Sequence, residues 1–319
     1  MALPMHPFLN PQADTWRLED IPDQAGRTVL VTGTTIGGLG HHTALELARR
    51  GARVILAGRR RERLGDTART ITDEVPKAEL EQLVVDLADL SSVRRAAAEA
   101  AGLGPIHVLV NNAGVMATPY HRTADGLEQQ MATNHFGPFL LTGLLMPQLV
   151  ASATATVVNV SSLMHRRARS APLGDPRAER RYSRWGVYGQ TKLANLLFTH
   201  ELDRRCRLAE LPVRALAAHP GFAGTHLVVN GRFGRNGGGI ASILDAGVRA
   251  VSQSAAMGAW PVLMAATADL PGGTYCGPGG PGEARGVPRV VGSSKLSHDE
   301  VAQRRLWEIS EETTGIRYP

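Results

Sequence analysis

The sequence is short of cysteine, lysine and aromatic residues and has no long apolar run, and each shortage closes off a class of protein. Cys206 and Cys276 are the only cysteines in 319 residues. They exclude a disulfide framework or a cysteine-based metal cluster and make the reducing cytoplasm the expected compartment. No segment supplies the ~20 consecutive apolar residues of a membrane-spanning helix. The most apolar stretch, 255–268, is too short and contains Pro261, so it reads as a buried helix. Residues 1–25 hold four prolines and no apolar core; they read as an N-terminal extension, neither a signal peptide nor a membrane anchor. The 11 histidines include no HxxxH or HExxH spacing, so no metal is expected. His41 and His42 fall on the first expected helix and are expected in solvent.

Charge is the excess. Lys and Arg total 35 against 29 Asp and Glu, for a net charge of +6. The lysines are Lys77, Lys192 and Lys295 alone. The arginines are scattered apart from 59–63 and 166–184, and no nucleic-acid motif accompanies them. The basic balance therefore reads as affinity for a phosphate-rich small molecule, with no nucleic acid as partner.

Short β-branched runs alternate with helical stretches along the chain. Strands are expected at 28–32, 53–57, 80–85, 107–111, 156–160 and 213–218. Helices are expected at 38–50, 60–74, 91–101 (with Ser91 as its cap), 124–150 and 188–208. The strands are unbroken apolar runs, as expected for a parallel sheet buried on both faces. The fold class is thus α/β: a doubly wound parallel sheet with helices on both faces and its ligand at the carboxyl ends of the strands. No repeat or compositional break divides the chain, so residues 26–319 form one domain after the 1–25 extension. Two segments interrupt the rhythm: an Arg-rich loop within 163–187 and a stretch at 222–253 whose glycine-rich part, 231–239, could serve as a lid.

The chemistry begins after the first strand, at Thr32-Gly33-Thr34-Thr35-Ile36-Gly37-Gly38-Leu39-Gly40. Glycines between a strand and a helix let the backbone approach a pyrophosphate, and the helix N-terminus offers free N–H groups to it. The second strand ends at Leu56-Ala57-Gly58-Arg59-Arg60, with no acid before Glu62. An acid there would take the ribose hydroxyls of NAD; Arg59 instead suits a 2′-phosphate, so the expected cofactor is NADP(H). Further on, Tyr188 and Lys192 stand four residues apart and so share one helix face. An ordinary phenol titrates near pH ~10. The Lys192 ammonium and an oxidised nicotinamide would both lower that value and let Tyr188 exchange a proton near neutral pH.

These residues resemble the motifs of the short-chain dehydrogenase/reductase family, a Rossmann-type fold, and the match runs from Gly33 to Thr225. The glycine loop is similar to the family's TGxxxGxG turn with one residue more. Gly33 keeps the first glycine's place, Gly38-Leu39-Gly40 takes the GxG place, Thr35 lies between, and Gly37 is the insertion. The resemblance implies that Asp86 and Leu87 meet the adenine and that Asn112-Ala113-Gly114 borders the adenosine half. It implies that Pro220, Gly221 and Thr225 hold the nicotinamide carboxamide. It assigns catalysis to Asn134, Ser162, Tyr188 and Lys192: Ser162 binds the substrate oxygen, Tyr188 transfers the proton, Lys192 supports Tyr188 and the ribose, and Asn134 holds a relay water. The long Ser162-to-Tyr188 loop and Leu306-Trp307-Glu308-Ile309-Ser310-Glu311 resemble the retinol-dehydrogenase-like branch. The implied activity is NADP(H)-dependent interconversion of a carbonyl and an alcohol on a small-to-medium hydrophobic substrate. The 124–150 and 188–208 helices would then join subunits into a homodimer or homotetramer. Two alternatives keep the fold, a non-redox step such as epimerisation or cyclisation with NADP(H) bound, and an NADP(H)-sensing binding protein. The complete Ser162, Tyr188 and Lys192 set argues for the enzyme.

Overall fold

A computed structural model describes residues 16–172, 175, 178, 181–222 and 253–319. Thr225, the 231–239 segment read as a lid, and nearly all of 222–253 lie outside the described residues. The strands are β1 (Thr28–Thr32), β2 (Arg53–Gly58), β3 (Leu80–Val84), β4 (Val108–Asn111), β5 (Ala155–Val160), β6 (Val213–Ala218), β7 (Tyr275–Pro278) and β8 (Pro288–Val290). They form one eight-stranded sheet in the order β3-β2-β1-β4-β5-β6-β7-β8. Every pair from β3 to β7 is parallel, and β8 closes the edge antiparallel to β7. The chain crosses from β1 outward to β3 and then returns to β4, so the strand order reverses between β1 and β4. Ligands of such sheets bind in the crevice at that reversal.

Each strand is apolar on both faces because both are covered. Val29, Val31, Val54, Leu56, Val108 and Val110 pack with α1 (Leu39–Arg49), α2 (Arg61–Glu74) and α8 (Ala255–Thr267). Leu30, Ile55, Leu109 and Val157 point the other way, against α3 (Leu90–Ala101), α5 (Gly137–Leu144) and α7 (Arg184–Leu208). Adjacent residues alternate between the two cores because strand side chains have a period of two. Trp16 and Ile21 are buried in the α1 core. The 255–268 stretch is the buried α8, and no helix among the described residues is long and apolar enough to cross a membrane.

Two helices differ from the sequence expectation. Asp89, not Ser91, caps α3: its carboxylate accepts the N–H groups of Ser91 and Ser92. The helix expected over 124–150 starts later and is broken. Glu128 caps α4 (Gln129–Met131), a π turn spans Ala132–Phe136, and α5 and α6 (Met146–Val150) follow. Proline explains both breaks. Pro138 has no N–H to give the Asn134 carbonyl, and Pro147 has none for Gly143.

Buried amides tie the halves together. Asn111 Nδ2 donates to Asn159 Oδ1 at 2.9 Å and to Thr142 Oγ1 at 3.1 Å, and Asn159 Nδ2 donates to Thr199 Oγ1 at 3.0 Å. The chain's end covers α5 and α7. Helix α9 (Glu300–Thr314) packs Ala302 and Leu306 on Leu193, Ala194 and Leu197. Trp307 lies 5.0 Å from Phe139 and 4.7 Å from Tyr318, ring centre to ring centre. Tyr318 donates to the Phe139 carbonyl at 3.1 Å.

Replacing Asn159 by alanine removes one of the two acceptors of the buried Asn111 amide and the Asn159 donor to Thr199. We expect Asn159→Ala to lower unfolding stability by about 2–4 kcal/mol, read from urea denaturation; a loss under about 0.5 kcal/mol would mean the amide chain is dispensable.

Candidate active site

The strand-to-helix loop after β1 is built for close backbone approach. Gly33 has φ +75°, and a Cβ there would stand 2.8 Å from Ala113 Cα. A Cβ on Gly40 would meet the Gly33 oxygen at 2.5 Å and Asn112 Nδ2 at 2.6 Å. Asn112 holds this contact by donating to the carbonyls of Thr32 at 2.7 Å and Gly33 at 3.1 Å. Thr32 Oγ1 answers by accepting the N–H groups of Asn112 and Ala113, both at 3.0 Å.

The extra residue is taken up outside that contact. Gly37 also has φ +75°, the Gly38 N–H closes a turn on the Thr35 carbonyl at 2.9 Å, and Thr35 and Ile36 are pushed to the surface. His41, expected in solvent, is instead buried, because its Nδ1 faces the Gly37 N–H at 3.4 Å. Gly38 caps α1 without a side chain and no acid lies in the first turn. The Leu39, Gly40 and His41 N–H groups are therefore free of intrahelical partners at the positive end of the helix dipole. This cradle fits a dinucleotide pyrophosphate.

On the adenosine side, Arg59 and Arg60 are exposed where β2 ends. Neither pairs with an acid of the described residues. Asp86 turns one carboxylate oxygen onto the Ala88 N–H at 3.0 Å. Leu87 is buried, and its carbonyl lies where a Cβ on Gly137 would come within 2.2 Å. The glycine thus lets α5 close on the loop after β3.

Ser162, Tyr188 and Lys192 come together at the carboxyl edge of the sheet. Ser162 follows β5 and accepts the Met164 N–H at 3.2 Å, capping the short 3₁₀ turn Leu163–Arg167. Tyr188 and Lys192 lie one turn apart on α7, 7% and 5% exposed. Lys192 Nζ donates to the Val160 carbonyl at 3.0 Å and lies 5.6 Å from the Tyr188 ring centre. An ammonium has three donors, so two remain for a ligand. Burial brings the Lys192 amine down to about 8. Burial also pushes the Tyr188 phenol up to about 12, against the weaker pull of a hydrogen bond with Ser162. In the protein alone desolvation outweighs that hydrogen bond, and Tyr188 stands as a neutral proton donor.

Asn134 is buried, and its amide is fully engaged. Its Oδ1 accepts the Val115 N–H at 2.8 Å, while Nδ2 donates to the Val115 carbonyl at 2.9 Å and to Thr191 Oγ1 at 3.0 Å. The side chain is therefore a clamp between the loop after β4 and α7. The Asn134 carbonyl is the group that Pro138 leaves without its i+4 helical donor. Gly114 permits the approach, since a Cβ there would lie 3.1 Å from Asn134 Oδ1 and 3.7 Å from Lys192 Nζ.

Pro220 and Gly221 follow β6 beside this group. Sequence reasoning passed over what holds them. Gln253 Nε2 donates to the Pro220 carbonyl at 2.8 Å, and His219 Nδ1 accepts the Gly221 N–H at 3.2 Å. Nothing in the local spelling marks Gln253 as a partner, because its contact spans 33 residues, whereas the His219 contact is only two residues long. No group of three His, Cys, Asp or Glu among the described residues could hold a metal.

Residues 27–233 match the short chain dehydrogenase family. The chain is 44% identical to human retinol dehydrogenase 12 over 205 residues, which are 64% of this chain and 63% of that protein. It thus spans under two thirds of that relative's length. Mouse polyprenol dehydrogenase is 36% identical over 304 residues, 92% of this chain and 86% of that protein. The crystal structure of an uncharacterised protein from Mycobacterium paratuberculosis superposes with a TM-score of 0.77 at 42% identity, covering 95% of this chain and 99% of the other.

Burying Lys192 costs stability. The amine is depressed from 10.5 to about 8, so the penalty is full below pH 8 and fades as pH climbs towards 10.5, where the unfolded amine also becomes neutral. Lys192→Met should be more stable than the parent at pH 7, by up to about 3 kcal/mol, with the gap closing by pH 10. Urea unfolding at both pH values measures this; a variant weaker than the parent at pH 7 would mean that the ammonium is net-stabilised in place.

Proposed function

The chain belongs to the retinol-dehydrogenase-like branch of the short-chain dehydrogenase/reductase family, and on that premise we propose that it is an NADP(H)-dependent oxidoreductase. It interconverts a ketone or aldehyde and an alcohol on a small-to-medium hydrophobic substrate, with reduction as the working direction. The observation that carries the reading is the buried Tyr188–Lys192 pair facing Ser162, beside a glycine cradle that fits a dinucleotide.

The cofactor, when bound, supplies or accepts the hydride. The remaining steps belong to the chain. The free N–H groups of Leu39, Gly40 and His41 would hold the pyrophosphate, and Arg59 the 2′-phosphate. Pro220, Gly221 and Thr225 would orient the carboxamide. Ser162 would donate to the substrate oxygen as charge gathers there. Tyr188 would pass its phenolic proton to that oxygen, and a neutral phenol in the resting protein suits this direction. Lys192 would hold the ribose with its two unpartnered donors and stabilise the phenolate left behind. Protons would return past the Asn134 carbonyl.

An apolar substrate is supported by Trp185, 40% exposed, whose ring centre lies 6.3 Å from that of Tyr188. The relatives named for retinol and polyprenol fit the same reading. We place the protein in the cytoplasm as a single-chain unit. The homodimer or homotetramer expected through the helices after β4 and β5 is the alternative. Residues of α5 are buried in their own chain, as are most of α7, under α9 and Tyr318. Light scattering should return a mass near 34.1 kDa; two or four times that value would restore the oligomer.

The cofactor assignment is tested by titrating NADPH and NADH against tryptophan fluorescence, in the parent and in Arg59→Ala. NADPH should bind more tightly in the parent. Arg59→Ala should weaken NADPH about tenfold, as for the loss of one charge-assisted contact, and leave NADH unchanged. All-trans-retinal, as an apolar aldehyde probe, should be reduced by the parent and at least about 10²-fold more slowly by Tyr188→Phe. Binding of neither nucleotide would favour the binding-protein or non-redox alternatives.

A further inference from the structure

Beside the Ser162, Tyr188 and Lys192 group lies a second set of charged side chains that the proposed chemistry does not use. His219 directly follows β6 and is completely buried. Its Nδ1 accepts the Gly221 N–H, so its proton sits on Nε2, which donates to Glu283 Oε2 at 3.1 Å. The other carboxylate oxygen, Oε1, accepts from Arg166 Nη2 at 2.7 Å, and Arg166 also donates to the Gly292 carbonyl at 2.9 Å. Arg166 stands in the 3₁₀ turn that Ser162 caps. One carboxylate therefore joins the serine turn to the backbone that follows β6.

Neighbouring contacts lock both ends of this bridge. His165 Nδ1 donates to the Ser162 carbonyl at 2.6 Å, with its Nε2 accepting the Ser294 N–H at 3.2 Å. The Phe222 N–H donates to the Ala284 carbonyl at 2.9 Å, one residue past Glu283. A Cβ on Gly277 would come within 2.0 Å of His219 Nε2, so the glycine makes the slot in which the ring sits. Glu283 itself is held at φ +54°. A side chain larger than glycine pays about 1 kcal/mol or more for that left-handed backbone. The two charge-assisted contacts supply a reason for a glutamate there. Burial raises the carboxyl, but hydrogen bonds from His219 and Arg166 outweigh it and hold Glu283 down to about 2. The carboxylate is thus charged at any working pH.

We propose that Glu283, gripped by Arg166 and His219, is a positioning residue that fixes the distance between the Ser162 turn and the Pro220–Gly221 backbone, and so between the substrate oxygen and the nicotinamide ring. The inference rests on the NADP(H) reading given above. Its physical logic is that the two halves of the site sit on separate loops. Hydride transfer is sensitive to displacements of about 1 Å, which can change rates by up to 10²-fold. A single half-buried carboxylate with one partner on each loop couples them without touching substrate or cofactor.

The experiment compares the parent with Glu283→Gln, Arg166→Met and the double variant. Three quantities are read: affinity for NADPH, affinity for adenosine 2′,5′-bisphosphate, and the primary isotope effect on oxidation of 4-deuterated NADPH with all-trans-retinal. The bisphosphate lacks the nicotinamide half, so it reports the cradle alone. Each single variant should weaken NADPH at least about fivefold, slow turnover about tenfold and raise the isotope effect as the hydride step becomes slower. Bisphosphate affinity should stay within about twofold. The double variant should be no worse than the weaker single one, because both changes open the same bridge. Equal losses of affinity for NADPH and the bisphosphate would reduce Glu283 to a fold-stabilising residue and overturn the inference. Additive losses in the double variant, or unaltered NADPH affinity and isotope effect, would overturn it too. A parent protein that binds neither nucleotide would instead bring down the NADP(H) reading itself.

Discussion

The close packing of three backbones where β1 and β4 diverge is the constraint on which the rest of this structure depends. The loop after β1, the first turn of α1 and the segment after β4 meet there with no room for a Cβ on Gly33 or Gly40. The contact survives because Gly33 and Gly40 lack a Cβ and because Thr32 and Asn112 exchange hydrogen bonds across it. It sets the angle at which α1 leaves the sheet, and hence where its unpaired N–H groups point. It also explains how the chain carries an additional residue. The bulge at Gly37 swells outward into solvent, while the inner contact between Gly33 and Gly40 is kept.

Around that crossing, buried amide N–H groups are hydrogen-bonded to side chains of neighbouring elements. The Asn111–Asn159 pair joins β4 and β5 through side chains as well as through the ladder, and Thr142 and Thr199 extend it into α5 and α7. Asn134 and Val115 exchange two hydrogen bonds in the manner of paired strands. Lys192 is a buried ammonium with one carbonyl partner and donors to spare. Its incomplete satisfaction destabilises the protein alone and prepares the place for a ligand with hydroxyl groups. The same desolvation keeps Tyr188 protonated, so one physical cause sets the resting state of both residues.

Much of this was legible in the order of residues. Strand positions follow from unbroken β-branched runs such as TVLVT, because a strand covered on both faces needs no polar alternation. The glycine loop and the four-residue spacing of Tyr188 and Lys192 are local, and local spacing translates directly into helix faces and turns. The break in the 124–150 helix was visible in Pro138 and Pro147, but continuous apolar character hid it. His41 was misplaced because helix periodicity says which residues share a face and not what packs on that face; the Gly37 bulge turned the ring inward.

By itself, then, the sequence determined the alternation of strands and helices, the glycine cradle and the identity of the Tyr188–Lys192 pair, all of which rest on contacts within a few residues. Tertiary structure alone decided the desolvation of Tyr188, the engagement of the Asn134 amide between Val115 and Thr191, and the covering of α5 and α7 by α9. It also decided the meeting of Arg166, His219 and Glu283, separated by as many as 117 residues. The physical reason is the same in each case. Desolvation and long-range hydrogen bonding depend on what surrounds a group in three dimensions, and no spacing along the chain encodes that.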